Sequence, residues 1–284
     1  FMLMPTPTTP QEKKYNIRRS RVLSSNNAST TYLGSKISTG ENFAFKLYNL
    51  SGLPLPLQKQ HQREIDILQK LSKLPSTPRI RDVIQRGPEV CLVMDVINSK
   101  PISSLLNKYP NGIPDRIAIP LFKTILSAIN DIHHERVCHL ALSLDNLVFD
   151  SFAKGIKVID FTKARETSTN VNGKFIPIVQ RDFTGGAPSY AAPETLKELP
   201  YDGIKADIWS LGVIFYVLLC NTFPFGGTST CTDTIIQNIK RGNLSFPPTI
   251  SKSARSLIQS MLQSEPSMRP HAVSLLRHPY LDIL

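Results

Sequence analysis

The first third of the chain alternates apolar and polar residues in short runs. Five runs, residues 16–24, 30–38, 41–49, 79–85 and 89–97, are rich in β-branched and aromatic residues and are separated by turn-forming residues, which is typical of β-strands. Between the third and fourth runs, apolar residues recur at helical spacing over residues 58–74, ending before Pro75. The pattern predicts about five strands and one helix.

The remainder of the chain follows a helical period. Residues 114–137 place Ile132 on one face together with either Ile117, Leu121 and Ile125 or Phe122 and Ile129. Residues 207–220 are apolar nearly all round, as in a buried central helix, and residues 232–242 and 251–265 are amphipathic. We predict an α+β, bilobal protein with a small β-rich lobe containing one helix and a larger, mainly helical lobe.

The patterns also predict the domain organisation. Residues 1–14 are rich in Pro and Thr and lack the apolar core of a signal peptide, so we interpret them as a flexible tail or an artificial remnant. Residues 15–97 form the predicted small lobe and residues 98–284 the large lobe of one domain, 15–284, with no separate regulatory domain. No uninterrupted run of about 18 apolar residues occurs, so no membrane span is expected.

Composition narrows the class of protein. The 284 residues are 41% hydrophobic and carry 33 Lys and Arg against 22 Asp and Glu, a net charge of +11, which excludes a disordered or collagen-like chain. The four cysteines are far apart and form no zinc-binding pattern. We interpret three of them as reduced core thiols of an intracellular protein, cytoplasmic or nuclear.

Five ordered segments carry the candidate chemistry. They read CHLALSLDNLVFD, IKVIDFTKA, GGAPSYAAPETL, ADIWSLGVIFYVLL and EPSMRPHAVSLLRHPYL. Their order and spacing resemble the protein kinases over residues 15–284. Phosphoryl transfer in that family needs positioned phosphates, bridging metal ions and a carboxylate near the attacking hydroxyl.

The resemblance implies a nucleotide site with specific residues. Lys46 stands where a strand lysine contacts the α- and β-phosphates, and Glu64 where a helix glutamate holds that lysine by a buried ion pair. The alternative is a solvent-facing lysine and a surface glutamate. The adenine pocket would be completed by three further residues, Ala44, Met94 and Val148; for Met94 the alternative is simple core packing.

The resemblance also implies a metal site. Asn146 and Asp160 stand where kinases keep the two side chains that bind Mg²⁺, a cation that prefers oxygen ligands. The alternative is structural, with Asp160 capping a turn and Asn146 bonding the loop.

Two substitutions remove chemistry from the catalytic loop. Ala141 replaces the aspartate that accepts the substrate proton, and a methyl group cannot accept one. Ser143 replaces the lysine that steadies the transferring phosphate. Asp145 is not a convincing substitute base, because it matches an ordinary glutamate of the family.

Other departures affect the phosphate-binding and activation loops. The family's three phosphate-loop glycines and the adjacent adenine-covering residue correspond here to Ser24, Asn26, Ser29 and Thr31. Thr162 replaces the glycine after Asp160 and Phe161, and we expect its β-branched side chain to hold the segment in one arrangement. Leu140 replaces the arginine that receives an activation-loop phosphate, although hydroxyl residues remain at Thr167, Ser168, Thr169 and Thr184.

The scaffold residues of the family are retained. Glu194 and Arg269 match a buried ion pair that braces the helical lobe, and Asp207 and Trp209 match residues that anchor the catalytic-loop backbone. His139 and Phe161, with Leu68, match an apolar column that joins the lobes.

The resemblance therefore implies a catalytically inactive pseudokinase that acts as a scaffold, adaptor or allosteric regulator. No cofactor is then required, and Mg-ATP binding is expected to be weak or absent. The alternative is a Ser/Thr protein kinase with residual or atypical ATP-dependent phosphotransferase activity, because Lys46, Glu64, Asn146 and Asp160 survive. Phosphoryl transfer depends largely on positioning and electrostatics.

Partners are the least specified feature. The large lobe resembles the calcium/calmodulin-dependent kinase group and the related Tribbles pseudokinases, which implies protein partners such as a ubiquitin ligase, MAP-kinase components or a transcription factor. Residues 1–97 hold 14 Lys and Arg against 7 Asp and Glu, with Lys13, Lys14, Arg18, Arg19 and Arg21 close together. We expect an acidic protein segment to bind there and nucleic acid to be an unlikely ligand.

Overall fold

A computed structural model describes residues 14–25, 29–97, 99–150, 155–168, 176–178, 187–196, 200–226, 231–242 and 244–283. The chain divides into two compact units, residues 1–98 and 99–284. The first unit contains a five-stranded antiparallel sheet and one helix, and the second is mainly helical. The predicted α+β class, with a β-rich lobe and a helical lobe, is confirmed.

The sheet of the first unit has the strand order β1-β2-β3-β5-β4. Its strands are β1 (Tyr15–Ser25), β2 (Ser29–Lys36), β3 (Asn42–Asn49), β4 (Ile80–Arg86) and β5 (Glu89–Asp95). On one face, Phe43, Phe45, Ile84, Cys91 and Val93 form a buried apolar cluster. Because side chains alternate between faces along a strand, Ala44, Lys46 and Tyr48 of β3 share the opposite face.

Strand β1 is an edge strand with an irregular register. Arg18 lies opposite Leu33 and Val22 opposite Tyr32, so residues 19–21 bulge out of the ladder. Such bulges are common at sheet edges. The alternation that predicted the strand is therefore interrupted, and Val22 is 54% exposed.

Helix α1 (Leu55–Leu71) begins earlier and ends earlier than predicted. Pro54 precedes it and Pro56 lies in its first turn, where the missing proline N–H has no intrahelical acceptor. Its last turn tightens where the N–H of Ser72 donates to the carbonyl of Gln69. Its buried face comprises His61, Glu64, Ile65, Ile67, Leu68 and Leu71, so two polar side chains share the apolar stripe.

The second unit is built around a buried helix. Its α-helices are α2 (Asp115–His134), α3 (Gly203–Cys220), α4 (Thr232–Arg241), α5 (Lys252–Met261) and α6 (Ala272–Leu275). Short strands β6 (Val137–Cys138), β7 (Leu147–Asp150), β8 (Gly155–Val158) and β9 (Arg165–Glu166) pair as β6 with β9 and β7 with β8. Short 3-10 helices cover Ile102–Lys108, Pro188–Tyr190, Pro193–Leu196, Pro266–Met268 and Pro279–Asp282.

The buried faces of these helices follow the predicted patterns in most places. Two alternative buried faces were predicted for α2. The face that contains Phe122 and Ile129 is fully buried, whereas Ile117 and Leu121 of the other face are only partly buried. Asp202 caps α3 by accepting hydrogen bonds from the backbone of Ile204 and Lys205. Helix α4 ends at Gly242, whose φ of +67° favours glycine.

Helix α3 is also long and apolar enough to cross a membrane by length and composition alone, although no such segment was expected from the sequence. Of its 18 residues, 89% are buried within the protein. Its neighbours therefore account for its apolar character.

None of the four cysteines, all within the described residues, forms a disulfide. Cys91 and Cys138 are buried and Cys220 is partly buried, whereas Cys231 is exposed. Burial raises the pKa of the Cys91 thiol to about 12, so this side chain behaves as an apolar core residue at neutral pH.

Candidate functional site

The predicted lysine–glutamate pair is formed in the first unit. The ammonium group of Lys46 on β3 donates to Oε1 of Glu64 on α1 at 2.5 Å. Glu64 is 1% exposed and the side chain of Lys46 is 13% exposed, so neither is the surface residue of the alternative interpretation. The Lys46 ammonium also lies 5.2 Å from the ring centroid of Tyr48, a favourable cation–π arrangement.

The charge of Glu64 is stabilised despite burial. Burial alone would raise the pKa of Glu64, but His61 and Lys46 outweigh it, so the pKa is lowered from its ordinary value. Glu64 is therefore ionised at neutral pH, and the pair carries a full negative and a full positive charge.

The adenine-pocket candidates of the first unit lie beside this pair. Ala44 is opposite Met94 in the β3–β5 ladder, two residues along β3 from Lys46, and both are buried. Val148 lies in β7 of the second unit and is 4% exposed. Their nucleotide-binding role remains a prediction.

At two of the positions where the family has phosphate-loop glycines, this chain has serines that lie in the paired strands β1 and β2. Ser24 is paired with Thr31 in the β1–β2 ladder, and the hydroxyls of Ser25 and Thr30 are hydrogen-bonded at 3.0 Å. Ser29 and Thr31 are buried. Asn26 lies outside the described residues. The described ends of this hairpin are therefore ordinary paired strands carrying hydroxyl side chains.

The catalytic-loop backbone is held by Asp207 of α3. Its carboxylate accepts hydrogen bonds from the backbone N–H of His139 at 2.7 Å and of Leu140 at 2.8 Å. Leu140 has a φ of +60°, a conformation that is costly for a residue with a side chain. These two charge-assisted bonds stabilise that backbone. The predicted anchoring role of Asp207 thus has a direct geometric basis.

His133 is a functional neighbour that sequence reasoning missed. Its Nε2 lies 3.0 Å from Oδ2 of Asp207, so the carboxylate that holds the loop is itself fixed by α2. A histidine on the last turn of a helix carries no sequence signal of this kind, because Asp207 is 74 residues away in the chain.

Within the loop, the metal-site candidates come together. The Nδ2 of Asn146 donates to the carbonyl of Ala141 at 2.9 Å, and the carbonyl of Asn146 accepts from the N–H of Ile159 at 2.9 Å. The second bond places Asn146 beside the residue that precedes Asp160. The hydrogen bond to the loop that the structural alternative assigned to Asn146 is thus present. It uses the amide nitrogen, so the side-chain oxygen Oδ1 can still bind a cation.

Asp160 and Thr162 form a local contact. The positive φ, +61°, occurs at Asp160 rather than at Thr162, so the β-branched residue is not forced into a disfavoured conformation. Instead, the Thr162 hydroxyl donates to Oδ1 of Asp160 at 2.5 Å. This agrees with the turn-capping alternative for Asp160, whose side chain remains exposed.

The oxygen atoms present fit a magnesium ion only as part of a larger ligand set. Among the described residues, no group of three or more His, Cys, Asp or Glu side chains could hold a metal ion. Asn146 and Asp160 could supply two oxygen ligands, and Mg²⁺ commonly takes the rest from phosphates and water.

The two substituted positions contribute no charge. Ala141 presents only a methyl group, although its backbone is held by Asn146. Ser143 is buried, with 8% of its surface exposed. Asp145 is exposed and accepts a hydrogen bond from the Ser103 hydroxyl at 2.6 Å. The loop therefore keeps its backbone arrangement without the base and the lysine.

The scaffold pair is formed as predicted. Arg269 is 1% exposed and binds both carboxylate oxygens of Glu194, at 2.5 and 2.8 Å. Its guanidinium also donates to the carbonyls of Gln263 and Lys205. The ring centroid of Trp209 lies 5.0 Å from Cζ of Arg269, and the ring also stacks on Phe225. Trp209 therefore packs on the ion pair. No contact among the described residues links it to the catalytic loop.

The apolar column is formed in part. The rings of His139 and Phe161 are in edge contact at 4.9 Å, and both residues are buried. Leu68 is buried on α1 in the first unit. The joining of the lobes through these residues stays a prediction.

The activation-loop hydroxyls are only partly described. The hydroxyl of Thr167, which is buried, donates to the carbonyl of Arg136, whereas Ser168 is exposed. Thr169 and Thr184 lie outside the described residues.

Comparisons with known proteins agree with this architecture. The protein kinase domain family model matches residues 18–281. The chain is 31% identical over 268 residues to an SNF1-related protein kinase catalytic subunit alpha, KIN12, of Arabidopsis thaliana, covering 94% of this chain and 51% of that protein. It is 30% identical over 263 residues to CBL-interacting serine/threonine-protein kinase 5 of Arabidopsis thaliana, covering 92% of this chain and 57% of that protein.

A mammalian relative shows the same similarity. Sperm motility kinase Z of Mus musculus is 32% identical over 219 residues, covering 77% of this chain and 41% of that protein. The chain spans about half the length of the curated relatives it matches. These names favour the kinase alternative over the pseudokinase interpretation and give no support to a Tribbles assignment. The chain belongs to the protein kinase domain family.

Proposed function

We propose that this chain is a Ser/Thr-type protein kinase domain that binds Mg-ATP weakly and transfers its phosphoryl group at a residual rate. The observation that carries the proposal is the buried Lys46–Glu64 pair, with a 2.5 Å contact and an ionised glutamate. The relatives named as Ser/Thr kinases support it. In protein kinases, a lysine held in this way by a glutamate binds phosphate oxygens of the nucleotide.

Each retained residue has a part in the proposed reaction. Lys46, oriented by Glu64, would bind the nucleotide phosphates, and Asn146 with Asp160 would hold Mg²⁺, which supplies charge neutralisation at those phosphates. Asp207 and His133 keep the catalytic-loop backbone in place. Serine and asparagine in place of the phosphate-loop glycines weaken nucleotide binding, because side chains crowd the approach of backbone N–H groups.

The missing base sets the rate. Without a carboxylate at position 141, the substrate hydroxyl is neither oriented nor deprotonated by the loop, and general-base catalysis is typically worth about 10²–10⁴-fold. What remains is positioning and electrostatic stabilisation by Lys46, Asn146 and Asp160. Turnover is then slow and depends on those three residues.

A second candidate function rests on Ala141 and Ser143. The loss of both groups favours a pseudokinase that acts as a scaffold, adaptor or allosteric regulator, with Tribbles-like recruitment of a ubiquitin ligase or MAP-kinase components as one form. This function needs no phosphotransfer, so it separates from the first by turnover measured on the same protein.

The test is restoration of the base. Phosphotransfer from radiolabelled ATP to a mixed Ser/Thr peptide library would be measured for wild type, Ala141→Asp and the uncharged control Ala141→Asn. We expect Ala141→Asp to increase turnover by about 10²-fold or more and Ala141→Asn to leave it low. Lys46→Ala should abolish both the wild-type and the restored activity.

Three results would decide against the kinase proposal. They are no binding of Mg-ATP at millimolar concentration, residual activity that survives Lys46→Ala, and no gain from Ala141→Asp in a folded protein. The first would favour the pseudokinase candidate, with no nucleotide required.

We also propose protein partners in the cytoplasm or nucleus. One of the relatives reported above is named a CBL-interacting kinase, which supports a protein partner. Arg18, Arg19 and Arg21 are exposed on the edge strand β1 and are available to an acidic segment. Replacing the three by Gln should weaken partner binding in low salt and have little effect at 0.5 M salt, because exposed charges are then screened.

A further inference from the structure

A buried histidine lies beside the lysine–glutamate pair of the first unit. His61 is three residues before Glu64 on α1 and is 4% exposed. Its ring packs 5.9 Å from the ring of Tyr48 on β3, and its Nδ1 lies 3.9 Å from Oε2 of Glu64. A histidine on the apolar stripe of a helix costs desolvation unless its polar atoms are used.

The two carboxylate oxygens of Glu64 have different surroundings. Oε1 receives the hydrogen bond of Lys46. Oε2 is buried and accepts no hydrogen bond within the described part of the chain. Nδ1 of His61 is also buried and has no hydrogen-bond partner there. A donor and an acceptor, both buried and unsatisfied, thus lie near each other at 3.9 Å, about 1 Å beyond hydrogen-bond distance.

From this geometry we infer that His61 is a positioning residue, whose Nδ1–H holds Oε2 of Glu64 so that Oε1 stays directed at Lys46. His61 would then orient Oε2 from α1, while Lys46 of β3 binds Oε1. The inference rests on the proposed role of Lys46 in nucleotide binding and adds a residue to that site.

The surrounding groups support this role. The ionisable side chains that contact His61 or the glutamate are Lys46 and Tyr48 from β3 and Glu64 from α1. Burial acts to raise the pKa of Glu64, and His61 and Lys46 together lower it. An apolar residue at position 61 would leave Lys46 alone to counter that burial.

Three variants distinguish positioning from packing. His61→Asn places an amide N–H near the position of Nδ1, His61→Gln places it near Nε2, and His61→Leu removes the donor. Gln69→Leu, an exposed position on the same helix, is the matched control. The Glu64 carboxyl titration would be followed by NMR of carbon-13-labelled glutamate, and nucleotide affinity by titration with a fluorescent ATP analogue in the presence of Mg²⁺.

We expect the pKa of Glu64 to rise in His61→Leu and His61→Gln and to stay near the wild-type value in His61→Asn. Nucleotide affinity should fall about threefold to tenfold in the Leu and Gln variants, the effect of one hydrogen bond, with recovery in Asn. Gln69→Leu should match wild type in both measurements.

Equal behaviour of the Asn and Gln variants, or an unmoved Glu64 titration in both Gln and Leu, would overturn the inference. If His61→Leu does not fold, the Asn and Gln comparison alone decides. If wild-type protein binds no nucleotide, the proposed function fails, while the Glu64 titration still decides whether His61 positions the carboxylate.

Discussion

The two buried ion pairs of this protein are built differently. Arg269 binds both oxygens of Glu194, donates to further backbone carbonyls and stacks on Trp209. Lys46 contacts one oxygen of Glu64, whose second oxygen has no hydrogen bond among the described residues. The protein uses the N–H donors of Arg269 fully, whereas among the described residues Lys46 donates one hydrogen bond and keeps further N–H donors.

The difference is the one expected between a structural pair and the proposed ligand-binding pair. Burying charge is tolerated when every donor and acceptor is used, which describes Arg269. Lys46 has three N–H donors and a 13% exposed side chain, so it can bind an anionic ligand while it remains paired with Glu64. A pair that must bind a ligand cannot be fully satisfied by its own protein.

The largest expected effect is on the structural pair. Arg269→Leu should lower the free energy of unfolding by about 3–5 kcal/mol, because the Glu194 carboxylate loses its partner, measured by urea denaturation. The double variant Arg269→Leu/Glu194→Leu should recover only part of this loss, since the carbonyls of Gln263 and Lys205 still lack their donor. Full recovery of the free energy of unfolding would mean that the additional hydrogen bonds of Arg269 do not distinguish this pair from the Lys46–Glu64 pair.

A smaller effect on stability is expected for the functional pair. Lys46→Met should lower the free energy of unfolding by about 1–3 kcal/mol, the cost of one unsatisfied buried group, and should abolish nucleotide binding in a thermal-shift assay. The double variant Lys46→Met/Glu64→Leu should regain most of the stability and none of the nucleotide binding. A double variant no more stable than the single one would contradict the comparison.

The smallest effect is a pH dependence. Because the pKa of Glu64 in the folded protein is below its ordinary value of 4.5, its ionised form stabilises the fold above that pH, and the contribution is lost as the pH falls through the folded-state pKa. In Lys46→Met the pKa of Glu64 should rise, so the loss should begin at higher pH. Urea denaturation from pH 7 to pH 4 would measure this, and superimposable profiles would argue against it.

The fold was largely predictable from the sequence because its periodicities are strong. Alternation located all five strands of the sheet, and the apolar character of residues 207–220 located the buried helix α3. The boundaries of α1 were less accurate, since proline in a first turn is compatible with a helix. The tightened last turn, where Ser72 donates to Gln69, is not indicated by the apolar pattern.

The candidate site was predictable where a residue type matched a family motif. Lys46, Glu64, Asn146 and Asp160 were found in this way, and the losses at Ala141 and Ser143 were visible by the same comparison. That Thr162 holds its segment in one arrangement stays a prediction. The sequence did not show that its hydroxyl donates to Asp160, the residue at which the positive φ lies.

The sequence by itself determined the family, the order of the elements and which chemical groups are present or missing. Only the tertiary structure decided which groups lie near one carboxylate. The hydrogen bond of His133 with Asp207 and the 3.9 Å approach of His61 to Glu64 depend on side-chain directions that periodicity does not encode. Both histidines lie on helices, where spacing predicts a face but not a hydrogen bond. The physical reason is that burial and partner geometry, set by packing across elements, determine what a polar side chain does.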